Sequence, residues 1–242
     1  MRFGIILLII CLTGVYAYSQ GLKINVDKKV VDSHEASLYD KSGISKISLT
    51  KDESYLVATT YSNYTKIWDM RSLKVHANFK TQGIKNRLVR IALHPSRNII
   101  AIPSKGGKSI KIFEIENKKK LLELKFIFPI THLCFSQDGE KLISYHANHH
   151  FYIWDLNKGT IISDIALADK NGISAGIFSN SDNSFTVLIE NRLKPQNFIQ
   201  LKLAKYSLDN FQIQNYNYSI PPCHSMTTSL GGKLLCLYGI GK

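Results

Sequence analysis

The chain has 242 residues, with 31 Lys and Arg against 18 Asp and Glu, giving a formal net charge of +13 and a pI near 9.5. Its 44% hydrophobic and 10% aromatic content excludes a disordered chain and is ample for a packed core. The lysines are scattered, and the one tight run, Lys118-Lys119-Lys120, falls after an expected strand end where a solvated turn belongs, so the charge does not point to nucleic acid.

The first 19 residues stand apart. Arg2 precedes an almost unbroken apolar run over residues 3–15, and small residues follow, with Val15 and Ala17 or Ala17 and Ser19 placed for a cleavage site. A run of 13 residues is short of the about 20 that cross a bilayer, so it predicts a secretory signal peptide. The expected protein is secreted or periplasmic, with no stable membrane span after cleavage. An uncleaved anchor is the competing reading. Leu8, Ile9 and Ile10 are too bulky for a lipoprotein cleavage box before Cys11. Cleavage leaves Cys134, Cys223 and Cys236, whose spacing makes neither a disulfide framework nor a zinc pattern. Cys134 is expected as a buried thiol, and a Cys223–Cys236 bridge stays open.

Residues 20–42 read as a connector, in which Leu22, Ile24 and Val26 alternate as in a strand that could close a ring. A pattern of four short strands, a to d, then recurs. Residues 43–82 hold strands at 44–49, 55–60, 65–70 and 75–79, with a polar turn at Lys51-Asp52-Glu53-Ser54. Residues 83–126 hold strands at 88–93, 99–103, 109–115 and 121–125, and Lys105-Gly106-Gly107-Lys108 is read as a hairpin turn rather than a phosphate loop. Residues 127–168 hold strands at 131–135, 141–146, 151–156 and 161–165, with Asp138-Gly139 predicting a tight primed turn. Residues 169–221 hold strands at 174–178, 185–189, 198–208 and 211–215. Residues 222–242 hold only two, at 225–229 and 234–238.

The register repeats. Thr50 recurs as His94, Ser136, Ser179 and Ser229, in steps of 44, 42, 43 and 50 residues. Trp68 recurs as Phe113, Trp154 and Tyr206, and Asp69 recurs as Asp155. From Ser179 to Tyr206 is 27 residues against 18 or 19 elsewhere, and the extra nine are expected in a loop at 190–197. A period in the low forties with a terminal Trp-Asp predicts an all-β propeller of about four complete four-stranded blades plus part of a fifth. Each blade is apolar on both faces and needs neighbours, so an incomplete ring predicts the front part of a longer protein or a truncated frame. A compact ring closed by residues 22–31 is the alternative.

With Lys66-Ile67-Trp68-Asp69, Lys111-Ile112-Phe113-Glu114 and Tyr152-Ile153-Trp154-Asp155, and the turns before them, the repeats resemble the WD40 family. The family often carries Gly-His before strand a and an Asp in the b–c turn, bonded to the Trp and a Ser or Thr. Here Gly43, Gly83 and Gly172 lack a following His, and the Asp slot holds Ser62, Gly107 and Asn148. A thin internal polar network is therefore expected. The resemblance implies a platform for protein partners, without catalysis, cofactor or metal. It places the d–a and b–c loops on one face, with Asn63, Tyr64, Lys105, Lys108, Asn148, His149, His150, Arg192 and Lys194 as candidate contact residues.

His146, His149 and His150 have no acidic or thiol neighbour in sequence, so they read as turn and surface histidines rather than metal ligands. The reading is thus an exported interaction scaffold. One alternative is the front propeller of a larger protein, such as a fusion to a caspase-like peptidase whose activity lies downstream. Another is a propeller hydrolase or lyase, which would need carboxylates or histidines where the blade starts carry Ile, Leu and Thr.

Overall fold

The structure, a computed structural model, describes residues 44–81, 91–167, 172–180, 182–193, 198–220, 225–228 and 235–238. The expectations for the leader, the connector, most of the strand at 88–93, Lys194 and Cys223 lie outside these residues. The described residues belong to the unit Ser37–Lys242.

Every regular element among them is a strand. The first sheet is β1 (Ile44–Leu49), β2 (Tyr55–Thr60), β3 (Tyr64–Asp69) and β4 (Lys74–Lys80). The second is β5 (Ala92–Leu93), β6 (Ile99–Ser104), β7 (Ser109–Glu114) and β8 (Lys120–Lys125). The third is β9 (Ile130–Phe135), β10 (Lys141–His146), β11 (His150–Asp155) and β12 (Thr160–Ala166). The fourth is β13 (Gly172–Asn180), β14 (Ser184–Leu193), β15 (Phe198–Ser207) and β16 (Ile213–Ile220), and β17 (Ser225–Thr228) pairs with β18 (Leu235–Tyr238). All pairings are antiparallel between sequence neighbours. The first strands β5, β9, β13 and β17 lie side by side, so the sheets stack around their a strands in a propeller-like arrangement. Among the described residues the sheets do not close into a ring.

Local chemistry explains the turns. The repeated Thr50 and Ser136 close the a–b turns. The Tyr55 N–H donates to Thr50 Oγ1 at 3.0 Å, and the Lys141 N–H donates to Ser136 Oγ at 2.8 Å. Each hydroxyl in turn donates to an aspartate two residues on, Asp52 at 2.8 Å and Asp138 at 2.5 Å. In the second sheet His94 takes this role, its Nδ1 accepting from the Ser96 and Arg97 N–H groups at 3.2 and 3.1 Å. The Asp of each Trp-Asp pair ties the c–d turn. Asp69 accepts from the Arg71 and Ser72 N–H groups, and Asp155 from those of Asn157 and Lys158.

The Asp138-Gly139 turn differs from the expected primed type. Only Gly139 has positive φ (78°), and its N–H donates to the Ser136 carbonyl, closing a wider four-residue turn. Gly139 is demanded twice over, because a Cβ there would stand 2.1 Å from His94 Nε2 on the neighbouring sheet. At 104–107, by contrast, the two central residues Lys105 (52°) and Gly106 (70°) are both at positive φ, as the mirror-image hairpin turn requires.

The nine extra residues of the fourth sheet are not a loop up to residue 193. They lengthen the b–c hairpin, and Glu190, Asn191, Arg192 and Leu193 pair with Leu201, Gln200, Ile199 and Phe198. The pairing with β15 satisfies the backbone of this segment, so Arg192 belongs to a strand. The d strand of that sheet also begins later and runs further than expected, over Ile213–Ile220.

Three clusters hold successive sheets together. Tyr55, Val57, Ile67 and Ala77 meet Ile91, Ile100, Ile102 and Ile115. Ala101, Ile110, Ile112 and Leu124 meet Ile130, Leu133, Leu142, Tyr152 and Trp154. Ile143, Tyr145, Phe151 and Ile153 meet Phe185, Val187, Ala204 and Tyr206. Each fully buried Ile, Leu or Phe contributes about 1.5–3 kcal/mol by leaving water. In the first three sheets a β-bulge falls immediately before the Trp68, Phe113 or Trp154 position, leaving His76, Leu121 or Ile162 as the extra residue on strand d. The bulge at His76 has a visible use, because its Nε2–H donates to the Ile115 carbonyl of the next sheet at 2.8 Å.

Candidate functional site

At one end of the sheets the b–c turns and the d–a connectors meet. The chain leaving each d strand donates its N–H to the b–c turn of its own sheet: Thr81 to the Asn63 carbonyl (2.7 Å), Phe126 to that of Lys108 (2.8 Å) and Leu167 to that of His149 (2.9 Å). The expectation that these two sets of loops share a face therefore holds in all three sheets.

The connector over residues 126–130, Phe-Ile-Phe-Pro-Ile, runs between two such turns. The Ile130 N–H donates to the Gly107 carbonyl, and the Pro129 carbonyl accepts from the Ala147 N–H, both at 2.8 Å. The Phe128 carbonyl accepts from His146 Nδ1–H at 2.8 Å. Phe126 points inward, its ring 4.2 Å from Tyr152, 4.4 Å from His146 and 5.9 Å from Trp154. Ile127 and Phe128 face out, 75% and 42% exposed.

Behind this connector lies a buried polar chain. Trp154 Nε1–H donates to Ser144 Oγ at 2.8 Å, and Ser144 Oγ lies 2.8 Å from His146 Nε2. An indole only donates and a carbonyl only accepts, so the ends fix the direction of the chain. The His146 proton sits on Nδ1, facing Phe128, and Nε2 accepts the Ser144 hydroxyl. Ser144 and His146 are fully buried. Burial holds the His146 imidazole down at about 4, well below its ordinary value, against the bond to Phe128 that favours the charged form. His146 is thus no surface histidine, and the third sheet carries a Trp154–Ser144–His146 chain where a thin network was expected, although the b–c turn slot holds Asn148, whose buried Oδ1 has no partner. The histidine comes from the end of strand b instead of from before strand a. Elsewhere the hub is lost: Ala58, Ile102 and Val187 hold the Ser144 position, two residues on from the partner of Trp68, Phe113 or Tyr206. Tyr206 is completely buried, and its hydroxyl has no hydrogen-bond partner. Burial pushes that phenol up to about 12.

The candidate contact residues divide. Asn63 (φ 64°) is an exposed turn residue, and Tyr64 begins β3, its N–H bonded to Thr60 Oγ1. Lys105 and Lys108 are exposed, and Lys105 pairs with Glu123 at 3.1 Å. The bonds of Glu123 to Lys120, Lys105 and Ser109 hold its carboxyl down at about 2. Asn148 and His149 turn inward: Asn148 Nδ2 donates to the Tyr152 hydroxyl (2.9 Å), and His149 Nδ1 shares a bond with that of Tyr145 (3.0 Å). Each thus bonds within its own sheet while staying partly exposed. His150 does have an acidic partner, Asp164 Oδ1 at 2.5 Å, supplied across the c–d ladder where sequence proximity could not show it. Among the described residues no group of three metal-ligating side chains converges, and no helix is long and apolar enough to cross a membrane. Cys134 is half-buried, and its Sγ–H donates to the Phe135 carbonyl. Ile127 and Phe128 were missed from sequence. Their signal was an apolar run longer than strand alternation needs, directly before Pro129.

No family model matches the chain. It is similar to Autophagy-related protein 16 of Arabidopsis thaliana, 24% identical over 151 residues that span 62% of this chain and 29% of that protein. It is similar to the U3 small nucleolar RNA-associated protein 18 homolog of Mus musculus, 23% identical over 159 residues that span 61% and 29%. The chain thus spans less than a third of the length of these curated relatives. Among solved structures it is similar to hydrazine synthase of Kuenenia stuttgartiensis, with a TM-score of 0.64 and 12% identity over 80% of this chain and 61% of that one. At that identity the likeness is one of fold.

Proposed function

We propose that this chain is a WD40-type repeat scaffold that holds a protein partner on the end where b–c turns and d–a connectors meet, and that it performs no chemistry of its own. The observation that carries the reading is the 126–130 connector. It keeps two large apolar side chains in water while hydrogen bonds to both neighbouring turns fix its backbone. Rigid exposed apolar groups favour association, because little conformational freedom is lost on binding. The repeat pattern and the similarity to the two curated relatives agree with this reading. The titratable groups fit structural work: Asp52, Asp138 and Asp69 cap turns, and His94 and His146 sit buried and neutral.

The leader at residues 1–19 makes the scaffold an exported one in this proposal, processed after Ala17 or Ser19. Fractionation with N-terminal sequencing of the mature protein tests export, and an intact Met1 in the cytosolic fraction refutes it. Affinity capture compares the full chain with the double variant Ile127→Ser/Phe128→Ser and with Leu73→Ser, a c–d turn control. Partners retained by the wild type and the control but lost by the double variant support this end as the platform. Equal retention by all three refutes it.

A further inference from the structure

The exposed Ile127 and Phe128 do not stand on neutral ground. Beside them the b–c turn of the second sheet carries Lys105 and Lys108, and β8 ends on Lys125, which pairs with Ser109 in the ladder next to Lys108. The carboxylates of this neighbourhood are already engaged. Glu123 binds Lys105 and Lys120 and accepts from the Ser109 hydroxyl, while Asp164 holds His150. Lys108 and Lys125 are exposed, and no carboxylate of the described residues lies within ion-pair distance of either. The result is a small apolar ridge with uncompensated positive charge along one side, on a chain of net charge +13.

We propose that this ridge binds an acidic peptide segment that carries a large apolar side chain; the proposal rests on the scaffold reading and gives its partner a chemistry. Three features favour that occupant. The apolar pair supplies desolvated contact area at the centre, while the lysines lie beside it where they steer an oppositely charged ligand. The backbone is pre-set by hydrogen bonds at 2.8 Å, donated to the Lys108 and Gly107 carbonyls and accepted from Ala147 and His146, so binding does not have to order it. The more exposed member, Ile127, is aliphatic, which suits a protein side chain better than a nucleic-acid base, whose affinity for protein comes from stacking on aromatic faces.

The test is selection of binders by the immobilised full chain from three random peptide libraries, built on Asp/Glu, Lys/Arg or Ser/Gly and each sharing the same Leu and Phe content. A labelled single-stranded 20-mer oligonucleotide is measured alongside. Enrichment of Asp/Glu peptides with a large apolar residue is expected. Ile127→Ser/Phe128→Ser and, separately, Lys108→Glu/Lys125→Glu should weaken them at least tenfold, and the second variant should also flatten the salt dependence. Circular dichroism confirms that each variant is folded. Binders from the neutral or basic library, or acidic binders indifferent to both variants, overturn the partner chemistry and leave the scaffold reading standing. No binder from any library overturns both. Oligonucleotide binding tighter than the best peptide also refutes the proposal.

Discussion

Replacing Ser144 by alanine removes the hub of the buried chain from Trp154 to the Phe128 carbonyl. Two groups lose their partners at once, the Trp154 Nε1–H and the bare His146 Nε2, each bonded at 2.8 Å in the native protein. Both residues are buried, and alanine opens too little room for a replacement water. A buried polar group left unpaired costs about 1–3 kcal/mol, so with two such groups Ser144→Ala should cost about 2–6 kcal/mol, a large share of a domain's stability. Urea unfolding at pH 7.5, followed by circular dichroism, measures this, and the double variant Ser144→Ala/Trp154→Phe should cost less than the sum of its parts. A loss below about 0.5 kcal/mol with an unchanged urea slope would refute the directional chain.

The pH dependence follows from His146, held at about 4 when folded against an ordinary 6.5. Between these values the unfolded chain binds the extra proton, so stability is complete above pH 6.5 and falls as pH drops towards 4, by about 3 kcal/mol for a shift of that size. His94, also held at about 4 by burial and then by the Arg97 charge, acts in the same direction. His146→Gln should flatten the stability-against-pH curve in this window, and an unchanged curve rules His146 out. Tyr206→Phe should leave stability unchanged or raise it by about 1 kcal/mol, because it deletes a buried hydroxyl that has no partner. A loss above about 1 kcal/mol in urea would mean that the hydroxyl is bonded. Gly139→Ala should cost more than about 2 kcal/mol, since it adds a Cβ against the His94 ring to a strained positive φ. Gly139→Ala in a His94→Ala background should recover part of that loss, and strict additivity would show that the ring contact is absent.

The alternation of apolar residues, the polar punctuation between them and the recurring Trp-Asp were local properties, and they were enough for the strands, the four-stranded unit and its period. The same local chemistry set the turn caps, since Thr50, Ser136, Asp69 and Asp155 each bond within five residues of themselves. What lay across the sheet was not legible. Asp164 reaches His150 only through the c–d ladder, and His146 meets Phe128 from 18 positions away. Because His146 stands two residues after Ser144, both side chains project from the same face of β10, and the fold completes a network that the absence of a histidine before strand a seemed to deny. Residues 190–193 of the fourth sheet became strand because pairing satisfies their backbone groups, a decision made by the partner strand and not by their own composition. The outward placement of Ile127 and Phe128 was likewise fixed by backbone bonds from two different sheets, which no single stretch of the chain encodes.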